Sequence, residues 1–424
     1  MMKHLIYAVC AIALLSGCAQ VKKTAPKEGR EAVQISHQTQ RIEKSADKIT
    51  LSQPQVIHSW HFASANQQNK IPHAAISGFD KKIWDENVGH GVSSSYIHLP
   101  KPVMHEGMIY TLDSRLRLTK TTANGDVIWD LNIREDENIP AVASVGLAFD
   151  NGLVYVVSGD GVVYAIKPEG EIIWQYDTKN ILRSAPVIKD GHLYVLAANN
   201  ELFVINTKDG SIAWTYKNIE TDTNLLGMGN PAIAHGVAVV PFSSGEIIAF
   251  DDKTGQILWS NTLLSYRTFN QIADLSHVLA APVIDGGVVY LIGNAHQMGA
   301  FRLKTGEEIF TTPIGGQTTP VIVGDALFMI TNKDTLVAMN KYNGRLIWEK
   351  ELYSKTEKRV SWHMPVPINN QIVATSSEGD VIVFDMLTGT ETKKLKMEKL
   401  FVSPTAYNNG LLFYTDDADL IMYR

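Results

Sequence analysis

From about residue 100 to the C-terminus, apolar residues come in short dense runs and not at helical spacing. Leu153-Val154-Tyr155-Val156-Val157, His192-Leu193-Tyr194-Val195-Leu196, Val288-Val289-Tyr290-Leu291-Ile292 and Ala326-Leu327-Phe328-Met329-Ile330 are rich in β-branched and aromatic residues and bounded by Gly, Asp and Asn, which predicts strands. Asp190-Gly191, Asp285-Gly286 and Asn409-Gly410 have the residue types that supply the positive φ of tight hairpins. A proline precedes each such unit at Pro102, Pro186, Pro231, Pro282, Pro320, Pro365 and Pro404, and one further unit near Ala143 lacks it. The seven intervals average about 43 residues, the length of a four-stranded propeller blade. The pattern predicts an all-β fold, an eight-bladed β-propeller with four-stranded antiparallel blades.

A second motif recurs inside the unit. In Ala249-Phe250-Asp251-Asp252-Lys253-Thr254-Gly255-Gln256-Ile257-Leu258-Trp259, Asp opens a turn, Gly takes a left-handed position, and Trp follows four residues later. Ala338 to Trp348 and Val204 to Trp214 repeat it; shortened copies run from Ala165 to Trp174, from Ala300 to Phe310 and from Val383 to Gly389. Large aromatics at repeat spacing bury area, so Trp129, Trp174, Trp214, Trp259 and Trp348 are predicted to dock one blade on the next. This spacing resembles the tryptophan-docking repeat of the quinoprotein propellers over about residues 100 to 424. The last unit, from Pro404 to Arg424, is too short for four strands. The segment Val56-Ile57-His58-Ser59-Trp60 is predicted to complete it, closing the ring and removing two exposed edges.

The N-terminus reads as an address. Lys3 and His4 precede an apolar run, Leu5 to Leu15, too short to span a bilayer, and the run ends in Leu15-Ser16-Gly17-Cys18, which resembles the bacterial lipobox. Residues 1–17 are therefore expected to be a signal peptide and Cys18 a lipid-bearing mature N-terminus. A plain secretory signal with an incidental Cys is the other reading. Residues 18–50 are polar and poor in aromatics, as a tether would be, leaving 51–424 for the propeller. Ala19 stands where, by resemblance to enterobacterial lipoproteins, an Asp would argue for the inner membrane, so the outer membrane, facing the periplasm, is expected.

Of the 424 residues 45% are hydrophobic and 19% charged, enough for a large core. The net charge of −6, with positive charges scattered among acidic ones, argues against a nucleic-acid partner. The two cysteines, Cys10 and Cys18, both precede the body, which excludes a cysteine nucleophile, a disulfide framework or a thiolate metal site there. Other catalytic patterns fail as well. His105-Glu106 has no second His at zinc-protease spacing, His58 and His61 point to opposite faces of a strand, and Gly227-Met228-Gly229 is followed by Pro231 and a strand in place of a helix.

A lipobox followed by a quinoprotein-like propeller without cofactor residues resembles the BamB family of outer membrane protein assembly factors. Ile272 to Tyr290 and Gly315 to Pro320 carry the resemblance furthest. It implies no enzyme, no cofactor and no bound metal, and a monomer within the hetero-oligomeric β-barrel assembly machinery, contacting POTRA domains of the barrel-inserting subunit and assisting unfolded barrel proteins. By motif position the contact loops hold Asn224, Leu225, Leu226 and Gly227, and Arg267 with Asp274. Leu226, His277 and Leu279 depart from the Arg and the acidic pair that enterobacterial members place there; ordinary inter-blade packing is an equal reading of both loops. The competing classes are a dehydrogenase dependent on pyrroloquinoline quinone, which the family's adjacent Cys pair and calcium ligands would mark, and a propeller that binds a small ligand in a polar central pocket.

Overall fold

The structure, a computed structural model, describes residues 43–133, 144–220, 229–263, 280–293, 297–316, 318–353 and 360–424. Within them, thirty-two strands pair into eight four-stranded antiparallel sheets. Each predicted run is the second strand of its sheet: Leu153–Ser158, His192–Leu196, Val288–Gly293 and Ala326–Ile330. Each repeat proline stands directly before an inner strand, as Pro231 precedes Ala232–Ala234, and the repeat without a proline opens at Ser144–Asp150. A proline there, ahead of the first ladder bond, sacrifices no donor the sheet needs. Blades 1 to 7 span 103–132, 144–177, 187–217, 232–262, 283–312, 321–351 and 366–396, with strands adjacent in chain order. The hairpin glycines follow expectation at Asp190-Gly191, but the left-handed pair is Gly286-Gly287 in blade 5 and Asn408-Asn409 in blade 8, a one-residue offset in each turn.

Blade 8 is closed differently from the expectation. Its three C-terminal strands, Thr405–Tyr407, Gly410–Tyr414 and Asp419–Tyr423, take Lys82–Asn87 as their outer strand, not the segment ending at Trp60. The reason is local. In all eight blades the outer strand has a β-bulge at the residue preceding the docking position; Ile83, Leu258 and Ile347 are three of these. Ile83-Trp84 repeats the apolar-Trp pair found in Ile128-Trp129, Ile173-Trp174 and Leu258-Trp259, whereas Ser59-Trp60 does not. Because a bulge turns two successive side chains outward, it also accounts for the exposed pairs Val127 with Ile128, Ile172 with Ile173 and Ile257 with Leu258.

The blades are joined by indoles laid on glycines. Trp84, Trp174, Trp214, Trp259 and Trp348 lie so close to Gly125, Gly210, Gly255, Gly306 and Gly389 of the next blade that an added Cβ would fall 2.7–2.8 Å from the ring. Trp129 lies further from Gly170, at 3.9 Å on the same measure, and Phe310 takes the indole's place over Gly344. The indole nitrogens of Trp84, Trp129, Trp174, Trp259 and Trp348 donate to carbonyls of Ala123, Pro168, Thr207, Leu303 and Met386 at 2.8–3.2 Å. Trp214 finds no acceptor among the described residues; the carbonyl of Asp252, in the corresponding loop, accepts instead from the Tyr194 hydroxyl at 2.5 Å. At the joint from blade 7 to blade 8, Lys393 replaces Trp, lying 4.2 Å over the Phe79 ring and paired with Asp80.

Residues 50–77 form a strap that crosses one mouth of the channel. Backbone bonds tie Trp60 to Met104 in both directions (2.8 and 2.7 Å), His61 to Phe149 (2.8 Å), Gln67 to Ile233 (2.7 Å) and Gln68 to Ile284 (3.0 Å). Others tie Thr50 to Asp325, Ala74 to Pro367 and Asn369, and Ile57 to Asn408. These partners sit at the ends of inner strands in blades 1, 2, 4, 5, 6, 7 and 8, next to their first hairpin turns. Asn69, fully buried, donates to the carbonyls of Pro231 and Pro282 at 3.0 Å each.

If the joints carry the ring, both partners of one joint should matter. Trp259→Ala is expected to cost about 3–5 kcal/mol, as large-to-small changes in a packed core do. Gly306→Ala should cost about 1–3 kcal/mol, since its Cβ would press on the Trp259 ring at a left-handed backbone position. Urea unfolding of both variants measures this, and a Gly306→Ala variant as stable as the wild type would refute the joint geometry.

Candidate functional site

The inner strands begin at the end of the ring away from the strap, so connectors from one blade's outer strand to the next inner strand emerge at that open end. The proposed contact residues Asn224, Leu225, Leu226 and Gly227, with Arg267 and Asp274, belong to the connectors from blade 3 to 4 and from blade 4 to 5. They lie outside the described residues, as does Cys18. The points where these two connectors return to the ring are described, and they are neighbours. Gly229 stands so close to Ala280 that a Cβ on it would fall 2.5 Å from the Ala280 carbonyl oxygen. Asn230 accepts a hydrogen bond from the Ala185 amide at 2.9 Å, and Ala280 is buried. The docking residues Trp129, Trp174, Trp214, Trp259 and Trp348 all sit at blade joints, as expected from their spacing.

Behind the open end a cavity of about 220 Å³ lies in the central channel, between blades 1, 2, 3, 4 and 8, with Ala63 of the strap on its wall. Among the described residues its polar lining is basic: His98, Lys101 and Arg183, with the neutral Asn230, and no Asp or Glu. The Lys101 side chain is 7% exposed. Its ammonium donates to the Ser403 hydroxyl at 3.1 Å and, more weakly, to the Pro404 carbonyl at 3.5 Å, and lies 4.7 Å over the Trp60 ring. Burial without a counter-charge pushes its pKa down to about 7. Burial, helped by the Lys101 charge, also pushes His363 down to about 4. His98 is lowered by burial too, against an Nδ1–H bond to the Ser144 carbonyl (2.5 Å) that raises it, with the Arg183 charge adding to the depression.

Sequence reasoning missed this cluster because Lys101, Arg183 and His363 are far apart in the chain and meet only when the ring closes. The single local signal was Lys101 itself, a cation between Pro100 and Pro102 at the start of an inner strand.

The same cavity tests the quinone chemistry that such a fold can host. A metal ion paired with a quinone needs acidic oxygen ligands, and among the described residues the cavity wall supplies none. Among the described residues no three His, Cys, Asp or Glu side chains are grouped to hold a metal ion. The residues present do not fit a metal-quinone pair.

A closed ring of eight sheets joined by Trp on Gly, with an apolar and aromatic core in every blade, defines a quinoprotein-like β-propeller. The family model of outer membrane protein assembly factor BamB matches residues 113–350, and the chain belongs to that family. It is 27% identical over 307 residues to outer membrane protein assembly factor BamB of Yersinia pestis, covering 70% of this chain and 76% of that one. Among solved structures it is similar to BamB from Moraxella catarrhalis, with a TM-score of 0.68 at 18% identity over 80% of this chain and 100% of that one. The fold is shared with a europium-containing methanol dehydrogenase, at a TM-score of 0.65 and 10% identity over 86% of this chain and 89% of the enzyme.

The buried lysine makes stability depend on pH. Its folded pKa of about 7 lies below the ordinary 10.5, so between those values the unfolded chain holds the extra proton and stability rises with pH; below about 7 the penalty is full. Without added anions, wild-type stability should climb more steeply than that of Lys101→Met, by up to about 1.4 kcal/mol per pH unit. Urea unfolding of both proteins at about pH 7, 8 and 9 reads the difference, and parallel slopes would contradict a buried, unpaired ammonium.

Proposed function

We propose that the chain is a non-catalytic adapter of the β-barrel assembly machinery, helping proteins into the outer membrane by holding other components of that machinery. In this reading residues 1–17 are removed, acylated Cys18 anchors the protein to the outer membrane facing the periplasm, and 18–50 form the tether, of which residues 43–50 run along blade 6. Two acyl chains or more hold a protein on a membrane without a spanning helix. The contact surface is the pair of connectors 218–231 and 263–282, which bind POTRA domains of the barrel-inserting subunit.

The observation that carries this reading is one-sidedness. The strap covers one mouth of the ring, while at the other the two connectors return side by side at Gly229 and Ala280. Loops on a rigid scaffold are where binding residues concentrate. Membership of a family named for outer membrane protein assembly supports the same role. The basic channel, which does not suit a metal-quinone pair, supports the absence of catalysis.

Replacing Leu225, Leu226 and Arg267 together by Ala is expected to weaken binding to purified POTRA domains about tenfold or more, with the melting temperature unchanged. Undiminished binding in a pull-down and in titration would move the contact elsewhere. Cys18→Ala should shift the protein from the outer-membrane fraction to the soluble periplasm or leave an uncleaved precursor. Dye reduction after adding pyrroloquinoline quinone and calcium would overturn the adapter reading outright.

A further inference from the structure

We propose that the central channel is a binding site for one small oxyanion, a phosphate or carboxylate group held by Arg183, Lys101, His98 and Asn230. Arg183 lines the cavity as an obligate cation with five N–H donors. Among the described residues, one of its nitrogens donates to the Leu182 carbonyl at 3.1 Å, and no carboxylate pairs with it. The fork geometry of its donors matches an oxyanion better than any neutral partner.

The neighbours complete a donor set. Lys101 is buried against the Trp60 ring, with a hydroxyl and a distant carbonyl as its polar contacts. Since the Nδ1–H of His98 is committed to the Ser144 carbonyl, its Nε2 remains available to donate once protonated. The Asn230 carbonyl oxygen accepts from the Ala185 amide, which leaves its NH₂ as a neutral donor. Among the described residues the cavity wall thus offers donors from four side chains and no acidic acceptor. Lys101 is buried and Arg183 half-buried, and among the described residues neither has a counter-charge, an arrangement that is costly unless an anion compensates it. One oxyanion removes that cost and satisfies the open donors together. The strap closes one side of this space through Trp60 and Ala63.

The test is calorimetric titration of the full chain, in detergent at low ionic strength and neutral pH, with inorganic phosphate and in parallel with malonate. Saturable one-site binding of either anion is expected, and the tighter of the two identifies the oxyanion as phosphate or carboxylate. Arg183→Gln and Lys101→Met, checked for unchanged circular dichroism, should each weaken it at least tenfold; if one variant does not fold, the other decides. Failure of both anions to bind saturably would overturn the proposal, and so would wild-type affinity in the folded variants. Neither outcome touches the adapter reading, which rests on the connectors and is read by POTRA binding.

Discussion

Everything in the ring depends on an indole lying flat on a residue without a side chain. At five of the joints a Cβ would intrude to 2.7–2.8 Å of the Trp ring, so Gly125, Gly210, Gly255, Gly306 and Gly389 set the distance between neighbouring sheets as much as the tryptophans do. The bulge before each Trp belongs to the same device. It adds local twist to the outer strand and aims the docking residue at the next blade. The two variant joints keep the contact by other means. Phe310 stacks over Gly344 without an N–H to place, and Lys393 uses its stem and charge against Phe79 and Asp80. Trp on Gly at six joints, Phe310 on Gly344 and Lys393 on Phe79 hold neighbouring sheets in a closed disc, together with cross-blade bonds such as Tyr194 to the Asp252 carbonyl and Asn218 to Glu246.

The same contact explains what could be read from the sequence. Proline, glycine and tryptophan mark the unit because each performs a position-specific backbone or packing task, so the blade count and the four-stranded antiparallel build were legible. The closing strand was misplaced because Trp60 was weighed as a lone aromatic. Its neighbours His58, Ser59 and His61 lack the apolar residue that precedes the Trp at the six indole joints, and Ile83-Trp84-Asp85, a near copy of Ile128-Trp129-Asp130, has it. The strap left no trace because its hold is made of main-chain bonds and one fully buried Asn, none of which has a periodicity. The candidate contact loops were placed by resemblance alone, since a connector that packs on no repeat partner leaves no pattern to read.

Strap and channel are physically linked. Trp60 hydrogen-bonds through its backbone to the inner strand of blade 1 and presents its ring to the Lys101 ammonium, so the covering of one mouth also forms the wall behind the basic cavity. His61 extends this contact, with Nε2 2.9 Å from Nδ1 of His105, which stacks on Phe149 at 4.2 Å. Burial and then the neighbouring His105 hold His61 below the usual imidazole range. The covered mouth thus combines these aromatic contacts with an ion pair, Lys70 of the strap donating to Asp285 at 2.6 Å.

The outer faces of the blades argue for the same polarity of use. Closing the ring sets the blades side by side but leaves the outer strands with an exposed edge, covered among the described residues only where Glu43 and Ser45 bond to Leu346 in blade 6, and an unpaired edge recruits other strands. Here each of those strands is bulged at its start, and several carry charge further along: Trp84-Asp85-Glu86, Trp348-Glu349-Lys350-Glu351 and Lys393-Lys394. Bulges interrupt the ladder a visiting strand would need, and solvated charges would have to be stripped of water to admit one. A protein that met its partners by adding strands to its rim would keep at least one edge flat and uncharged. In this ring every outer strand is bulged and one mouth is crossed by the strap, so recognition by strand addition at the rim is disfavoured.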